Sequence, residues 1–167
     1  MSRHLPRKAS SAFLFLCTAL VAVCLVTAAA QERPYRILIS NDDGVHAPAL
    51  SVLAEALKST AEVFVVAPAD NQSGISQALT GGPPIARVDV TLVGGLEAIG
   101  LTATPATTMQ IAIKNIVRPP PDLVVTGINA GYNLGLSAYL SGTVGAARQA
   151  VINEFLAAFP QIPLLAT

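Results

Sequence analysis

The chain has no tryptophan, two cysteines, two histidines and few charges, at 12% of its 167 residues. Both cysteines, Cys17 and Cys24, and one histidine, His4, fall within the first 30 residues. Everything after them therefore has no disulfide, no thiolate metal site and no cysteine nucleophile. His46 is left as a single imidazole, too few for a multi-histidine zinc site, and any Ser-His-Asp triad would have to run through that one ring. No basic run occurs anywhere, which excludes a nucleic-acid polymer as a partner held by charge. Chemistry in this chain has to rest on carboxylates, hydroxyls and amides.

The first 30 residues stand apart. Arg3, Arg7 and Lys8 are followed by an uncharged stretch from Ala9 to Ala30, and Ala12–Val26 is almost wholly apolar. Ala28-Ala29-Ala30 then offers the small residues a signal peptidase requires. Residues 1–30 read as a secretory signal peptide cut before Gln31, with an uncleaved membrane anchor as the alternative. Either way the positive head stays inside and the rest is exported, periplasmic or secreted. Contact with a membrane is expected only if the leader is uncleaved. Removing 30 of 167 residues leaves 137, enough for one domain with its own core, 31–167. Its 7 Lys and Arg against 10 Asp and Glu give a net charge of −3.

From Tyr35 onward, apolar runs alternate with helical spacing. Tyr35–Ser40, Glu62–Ala67 and Asp122–Thr126 read as buried strands. Pro48–Lys58 reads as a helix opened by proline, as does Pro105–Ile116, which Pro119-Pro120-Pro121 ends. Arg87–Leu92 alternates like a strand with one wet face, and Gly94-Gly95 marks a hairpin into Leu96–Leu101. Val144–Ala158 is expected to be one helix. Strands separated by helices predict an α/β fold, a doubly wound and mostly parallel sheet with helices on both faces.

Such a sheet brings its ligand to the carboxyl ends of the strands. Those ends carry Asn41-Asp42-Asp43-Gly44, Asn71-Gln72-Ser73-Gly74 and Gly127-Ile128-Asn129-Ala130-Gly131, each an oxygen donor beside a glycine. Asp42 and Asp43 are adjacent anions that repel unless a cation sits between them. With Ser73 and Asn129 as neutral donors, the set suits Mg²⁺, Mn²⁺ or Ca²⁺ and not zinc or copper. Gly44 and Gly74 allow close backbone approach to an anion, and Ser141-Gly142-Thr143 at a helix start offers free N–H groups to a phosphate. Asn41 is placed to help. His46, two residues past the turn, either donates a proton or orients the loop, the second being favoured. A phosphoacceptor receiver domain also carries an acidic pair after its first strand, but it needs an Asp ending a later strand, and Asp122 begins its own.

Ile37–Pro48, with its N-D-D-G-V-H-A-P string, resembles the opening of the survival protein SurE family of metal-dependent nucleotidases and acid phosphatases. Val65–Pro68 with Asn71–Ser76, and Gly127–Gly135 with Tyr139–Val144, are similar to that family's second and third segments. The resemblance runs from about Arg36 to Ala147. It implies metal ligands at Asp42, Asp43, Ser73 and Asn129, a Mg²⁺ or Mn²⁺ cofactor, and hydrolysis of nucleoside monophosphates and other small phosphomonoesters. Asp42 and Asp43 would be the catalytic carboxylates, with Asp42 either attacking phosphorus or positioning a water. Asn41, Gly44, Gly74, Ser141, Gly142 and Thr143 would hold the phosphate. Three departures accompany it: Thr107-Thr108 stands where the family has an Asp-Cys pair, Leu136-Ser137-Ala138 where it has acids, and Asn153–Phe159 does not read like its continuation. The family's later sheet and C-terminal arm serve subunit exchange, so the resemblance implies a chain shortened at that end, with homo-oligomer formation left open. A non-catalytic remnant with weak metal or phosphate binding is the alternative.

Overall fold

The computed structural model describes residues 33–153 and the backbone of residues 157 and 158. The leader, residues 1–30, and the tail that holds Pro160 and Pro163 lie outside the described residues. The chain divides into two units, Met1–Arg33 and Pro34–Thr167, and the fold is that of the second. Among the described residues no helix is long and apolar enough to cross a membrane.

Six strands form one sheet: β1 Arg36–Ser40, β2 Glu62–Pro68, β3 Arg87–Thr91, β4 Glu97–Leu101, β5 Leu123–Thr126 and β6 Ala157–Ala158. Their spatial order is β3-β4-β2-β1-β5-β6. Every pairing is parallel except the β3–β4 hairpin at one edge. Among the described residues five helical segments accompany it: α1 Pro48–Leu57, α2 Pro105–Ile111, a π-helical turn Ala112–Ile116, α3 Ser137–Leu140 and α4 Gly142–Ile152. The doubly wound, mostly parallel architecture expected from the sequence is the one observed.

Residue alternation sorts the core into two layers. Leu38, Val66 and Val124 face α2 and α4, meeting Met109, Ala112, Ala146 and Ala150. Ile37, Ile39, Val65 and Val125 face the opposite way, onto Leu50 and Ala54 of α1. Covered on both sides, β1 is buried along its whole length, as an unbroken apolar run in a parallel sheet requires. Each such aliphatic side chain contributes about 1.5–3 kcal/mol by leaving water.

Three elements differ from expectation. The helix expected over Pro105–Ile116 is α-helical only to Ile111, after which the turn widens and Val117 N–H reaches Ala112 O at 2.9 Å. The helix expected over Val144–Ala158 is instead Gly142–Ile152. It starts two residues early because Ser141 Oγ accepts from Val144 N–H at 3.1 Å, and Asn153 ends it by donating through its side chain to Gln149 O at 2.7 Å. Ala157 and Ala158 then pair with β5 as a strand. Asp122, at the amino end of β5, accepts from Arg36 N–H at 2.8 Å, at the edge of the sheet opposite the polar loops.

Candidate active site

All three loops expected to converge do so at the carboxyl ends of β1, β2 and β5. After Ser40 the chain must turn at once, and Asn41 makes the turn: its Nδ2 donates to Gly44 O at 3.0 Å and its Oδ1 accepts from Gly44 N–H at 3.1 Å. Gly44 has φ +101°, and a Cβ there would lie 3.0 Å from the backbone carbon of Asp70. Only glycine fits this turn without strain. The β2 loop is tied to the β1 loop by Gln72 N–H donating to Asp42 O at 2.7 Å and Val45 N–H to Pro68 O at 2.7 Å. An Asx-type bond from Ser73 N–H to Asn71 Oδ1, 2.8 Å, turns Ser73 back toward the acids. Gly127 N–H donates to Ser40 O at 2.7 Å and so fixes the start of the third loop.

A cleft of about 280 Å³ opens where these loops meet, lined by Asp42, Asp43, Ser73, Gly74, Asn129 and Ser141, all expected from the sequence. Ala130, Asn133, Ser137 and Leu140 complete the lining and were not expected. Asn133 sits in the loop that follows the third glycine cluster, and α3, four residues long, brings in Ser137 and Leu140. A helix of that length has no periodicity to read; the one signal was the departure at Leu136-Ser137-Ala138. Asn41, Gly44, Gly142 and Thr143 lie behind the lining. Asn41 spends its whole amide on Gly44, and Thr143 is fully buried. His46 is exposed and outside the cleft.

The carboxylates have little help from the protein. Asp42 is only 3% exposed, and its Oδ1 accepts a hydrogen bond from Thr143 Oγ1. Asp43 receives one weak contact, from Ser73 Oγ at 3.4 Å. Burial pushes the Asp43 carboxyl above its ordinary value, the neighbouring charge of Asp42 pushes the same way, and the Ser73 contact offsets part of it. Among the described residues no lysine, arginine or histidine lines the cleft.

The donor chemistry fits a hard divalent cation. Asn129 Nδ2 donates to Gly131 O at 3.1 Å, which orients Oδ1 toward Thr143 Oγ1, 3.0 Å away. Asp42 Oδ1, Thr143 Oγ1 and Asn129 Oδ1 thus crowd together with a single hydroxyl proton among them. One acceptor is left without a donor, as expected where a cation supplies the missing positive charge. Among the described residues no three His, Cys, Asp or Glu side chains cluster, so two carboxylates and neutral oxygens make up the whole donor set. That composition does not suit soft-ligand metals and fits a hard divalent cation such as Mg²⁺, Mn²⁺ or Ca²⁺. Beside it, α4 presents its amino end. Ser141 caps Val144 N–H, while no hydrogen bond is made by Gly142 N–H or Thr143 N–H among the described residues.

Comparison with known proteins gives the family. A family model described as "Survival protein SurE" matches residues 37–159. A protein named 5'-nucleotidase SurE from Aeromonas hydrophila is 47% identical over 116 residues, covering 68% of this chain and 46% of that protein. A 5'/3'-nucleotidase SurE from Serratia proteamaculans is 48% identical over 114 residues, covering 68% and 44%. The crystal structure of the SurE protein from Aquifex aeolicus superposes with a TM-score of 0.63 at 36% identity, covering 73% of this chain and 48% of that one. The chain spans about half the length of the curated relatives it matches. The resemblance carried by Asn41–Pro48 and Gly127–Val144 was sound, and the chain belongs to the SurE family.

Proposed function

We propose that this chain carries the cation- and phosphate-binding half-site of a metal-dependent phosphomonoesterase acting on nucleoside monophosphates, of the nucleotidase and acid-phosphatase type. The observation that carries the reading is the pair Asp42 and Asp43, brought into one cleft with Ser73 and Asn129 and left without a protein cation. The relatives' names, 5'-nucleotidase and 5'/3'-nucleotidase, supply the substrate class.

Asp42, Asp43, Ser73 and Asn129 would hold Mg²⁺ or Mn²⁺, which when bound neutralises charge on a phosphoryl group. The protein's own part is preorganisation. Asn41 and Gly44 fix the turn that sets the two carboxylates side by side. The N–H group of Gly142, at the positive end of an 11-residue helix, favours phosphate oxygens near Ser141, and Gly74 opens the facing loop, while the fully buried Thr143 acts through Asp42. Asp42, with Oδ1 held by Thr143, suits a fixed ligand better than a group that must turn toward phosphorus. His46 takes no part, being exposed and outside the cleft. The basic head, apolar run and Ala28-Ala29-Ala30 support the further proposal that a leader, 1–30, is cleaved and the domain, 31–167, lies outside the cytoplasm.

Phosphate release from 5'- and 3'-nucleoside monophosphates by the purified chain, with Mg²⁺ or Mn²⁺ and with chelator, tests the proposal. Turnover that chelator abolishes and metal restores supports it. Metal-independent turnover removes it, and no turnover with either metal removes it and leaves a binding remnant.

A further inference from the structure

We infer that Thr143 sets which cation the site prefers: by giving its proton to Asp42 Oδ1 it limits that carboxylate to one free oxygen and so favours Mg²⁺ or Mn²⁺ over Ca²⁺. The inference rests on the cation reading above and adds a positioning residue to it.

Thr143 is 0% exposed and cannot reach solvent or a ligand in the cleft directly. Its place is fixed from two sides. The backbone carbonyl accepts a hydrogen bond from Thr126 Oγ1 of β5 at 3.0 Å, and the residue lies in the first turn of α4. A β-branched side chain on such a backbone has few rotamers to choose from. Its hydroxyl lies against Asp42 Oδ1 and 3.0 Å from Asn129 Oδ1. The single proton goes to the carboxylate, because a hydrogen bond to an ionised acceptor is the stronger of the two.

Asp42 Oδ1 is thereby occupied. No hydrogen bond reaches Oδ2 among the described residues, and Gly142 keeps it uncovered, since a Cβ at that position would lie 2.9 Å from it. One carboxylate oxygen carries a protein hydrogen bond and the other carries none among the described residues, so Asp42 would be biased toward ligating a cation through Oδ2 alone. Ca²⁺ takes six to eight oxygens and gains from bidentate carboxylates, whereas Mg²⁺ demands an octahedron of single oxygens and waters, and Mn²⁺ accepts one. A carboxylate biased toward one free oxygen would disfavour Ca²⁺ relative to the octahedral ions. Thr143 thus acts on the cation through Asp42.

The test is competition binding on the metal-free full chain, reading free Mn²⁺ by electron paramagnetic resonance while Ca²⁺ is added. Wild type, T143S, T143V and T143A are compared, with the far-ultraviolet circular dichroism of each recorded first. T143S keeps the hydroxyl and should keep the wild-type preference for Mn²⁺. T143V, which replaces the hydroxyl by a methyl of similar size, should lose roughly 10- to 100-fold in Mn²⁺ affinity while Ca²⁺ binding falls less, shifting the ratio about tenfold toward Ca²⁺. T143A should shift the ratio the same way and decides the matter if T143V does not fold. An unchanged ratio in T143V and T143A, or an equal shift in T143S, overturns the inference while leaving the cation site standing. Wild-type protein that binds neither ion overturns both.

Discussion

At the amino end of β1, Arg36 is 6% exposed, and at the other end Asp42 is 3% exposed, yet their surroundings differ completely. Arg36 Nε meets Glu62 Oε2 at 2.8 Å, Nη2 donates to Arg118 O at 3.1 Å, Nη1 donates to Pro119 O, and the guanidinium lies 4.7 Å from the centre of the Phe64 ring. Asp42 and Asp43 have two hydroxyl contacts between them, from Thr143 and Ser73, and repel each other. A buried charge without a partner is costly, so folding alone gives no reason to keep the second arrangement. The compensated end of the strand holds the fold together. The other end holds two carboxylates whose mutual repulsion a bound cation would relieve.

The strongest test of that contrast is to neutralise each end. Asp42→Asn should cut the proposed phosphomonoesterase turnover by about 10³-fold or more, equivalent to about 4 kcal/mol in the barrier, and should leave the melting temperature of the metal-free chain unchanged or raised. Steady-state kinetics and calorimetry on the same preparation check both halves. Loss of the fold in this variant would make Asp42 a structural anchor like Arg36.

Arg36→Ala should do the reverse. It leaves the carbonyls of Arg118 and Pro119 and the Glu62 carboxylate without their donor, and should cost about 3 kcal/mol of stability in urea unfolding, the low end for a broken buried pair because Glu62 is half-exposed. Protein that remains folded should bind Mn²⁺ as tightly as wild type.

The smallest effect sharpens the electrostatics. Because the Asp43 carboxyl is raised in the folded state, the folded chain holds more protons than the unfolded one between 3.8 and the raised value, so the metal-free form gains stability as pH falls through that window. Asp43→Asn should be the more stable protein at neutral pH, and its advantage should shrink as the wild-type carboxyl takes up its proton. Parallel melting curves at several pH values read the difference. A constant gap would mean that Asp43 carries no unfavourable charge.

Much of this arrangement was legible before folding. Ile37–Ile39, Val63–Val66 and Val124-Val125 are short apolar, β-branched runs, and a strand buried on both faces can hardly be written otherwise. Gly94 and Gly95, both at positive φ, announced the hairpin. Oxygen-bearing residues beside glycine at three strand ends gave the site. What stayed hidden depends on tertiary partners. Ala157 and Ala158 extend the helical pattern of α4, and only pairing with β5 makes them a strand. The widened turn after Ile111 has no local marker. Asn133, Ser137 and Leu140 line the cleft because of how the loop around α3 returns to Ser141. Thr143 read as a phosphate seat, since nothing in Ser141-Gly142-Thr143 says that its hydroxyl turns inward to Asp42.

On the function proposed above, a cation held between Asp42, Asp43, Ser73 and Asn129 supplies the charge missing at the carboxyl end of β1. Titration of the metal-free chain with Mn²⁺, followed by electron paramagnetic resonance, measures it directly. The account predicts one bound ion per chain in the wild type and none in a variant carrying both Asp42→Asn and Asp43→Asn. Equal binding by the two proteins, or no binding by the wild type, would contradict it.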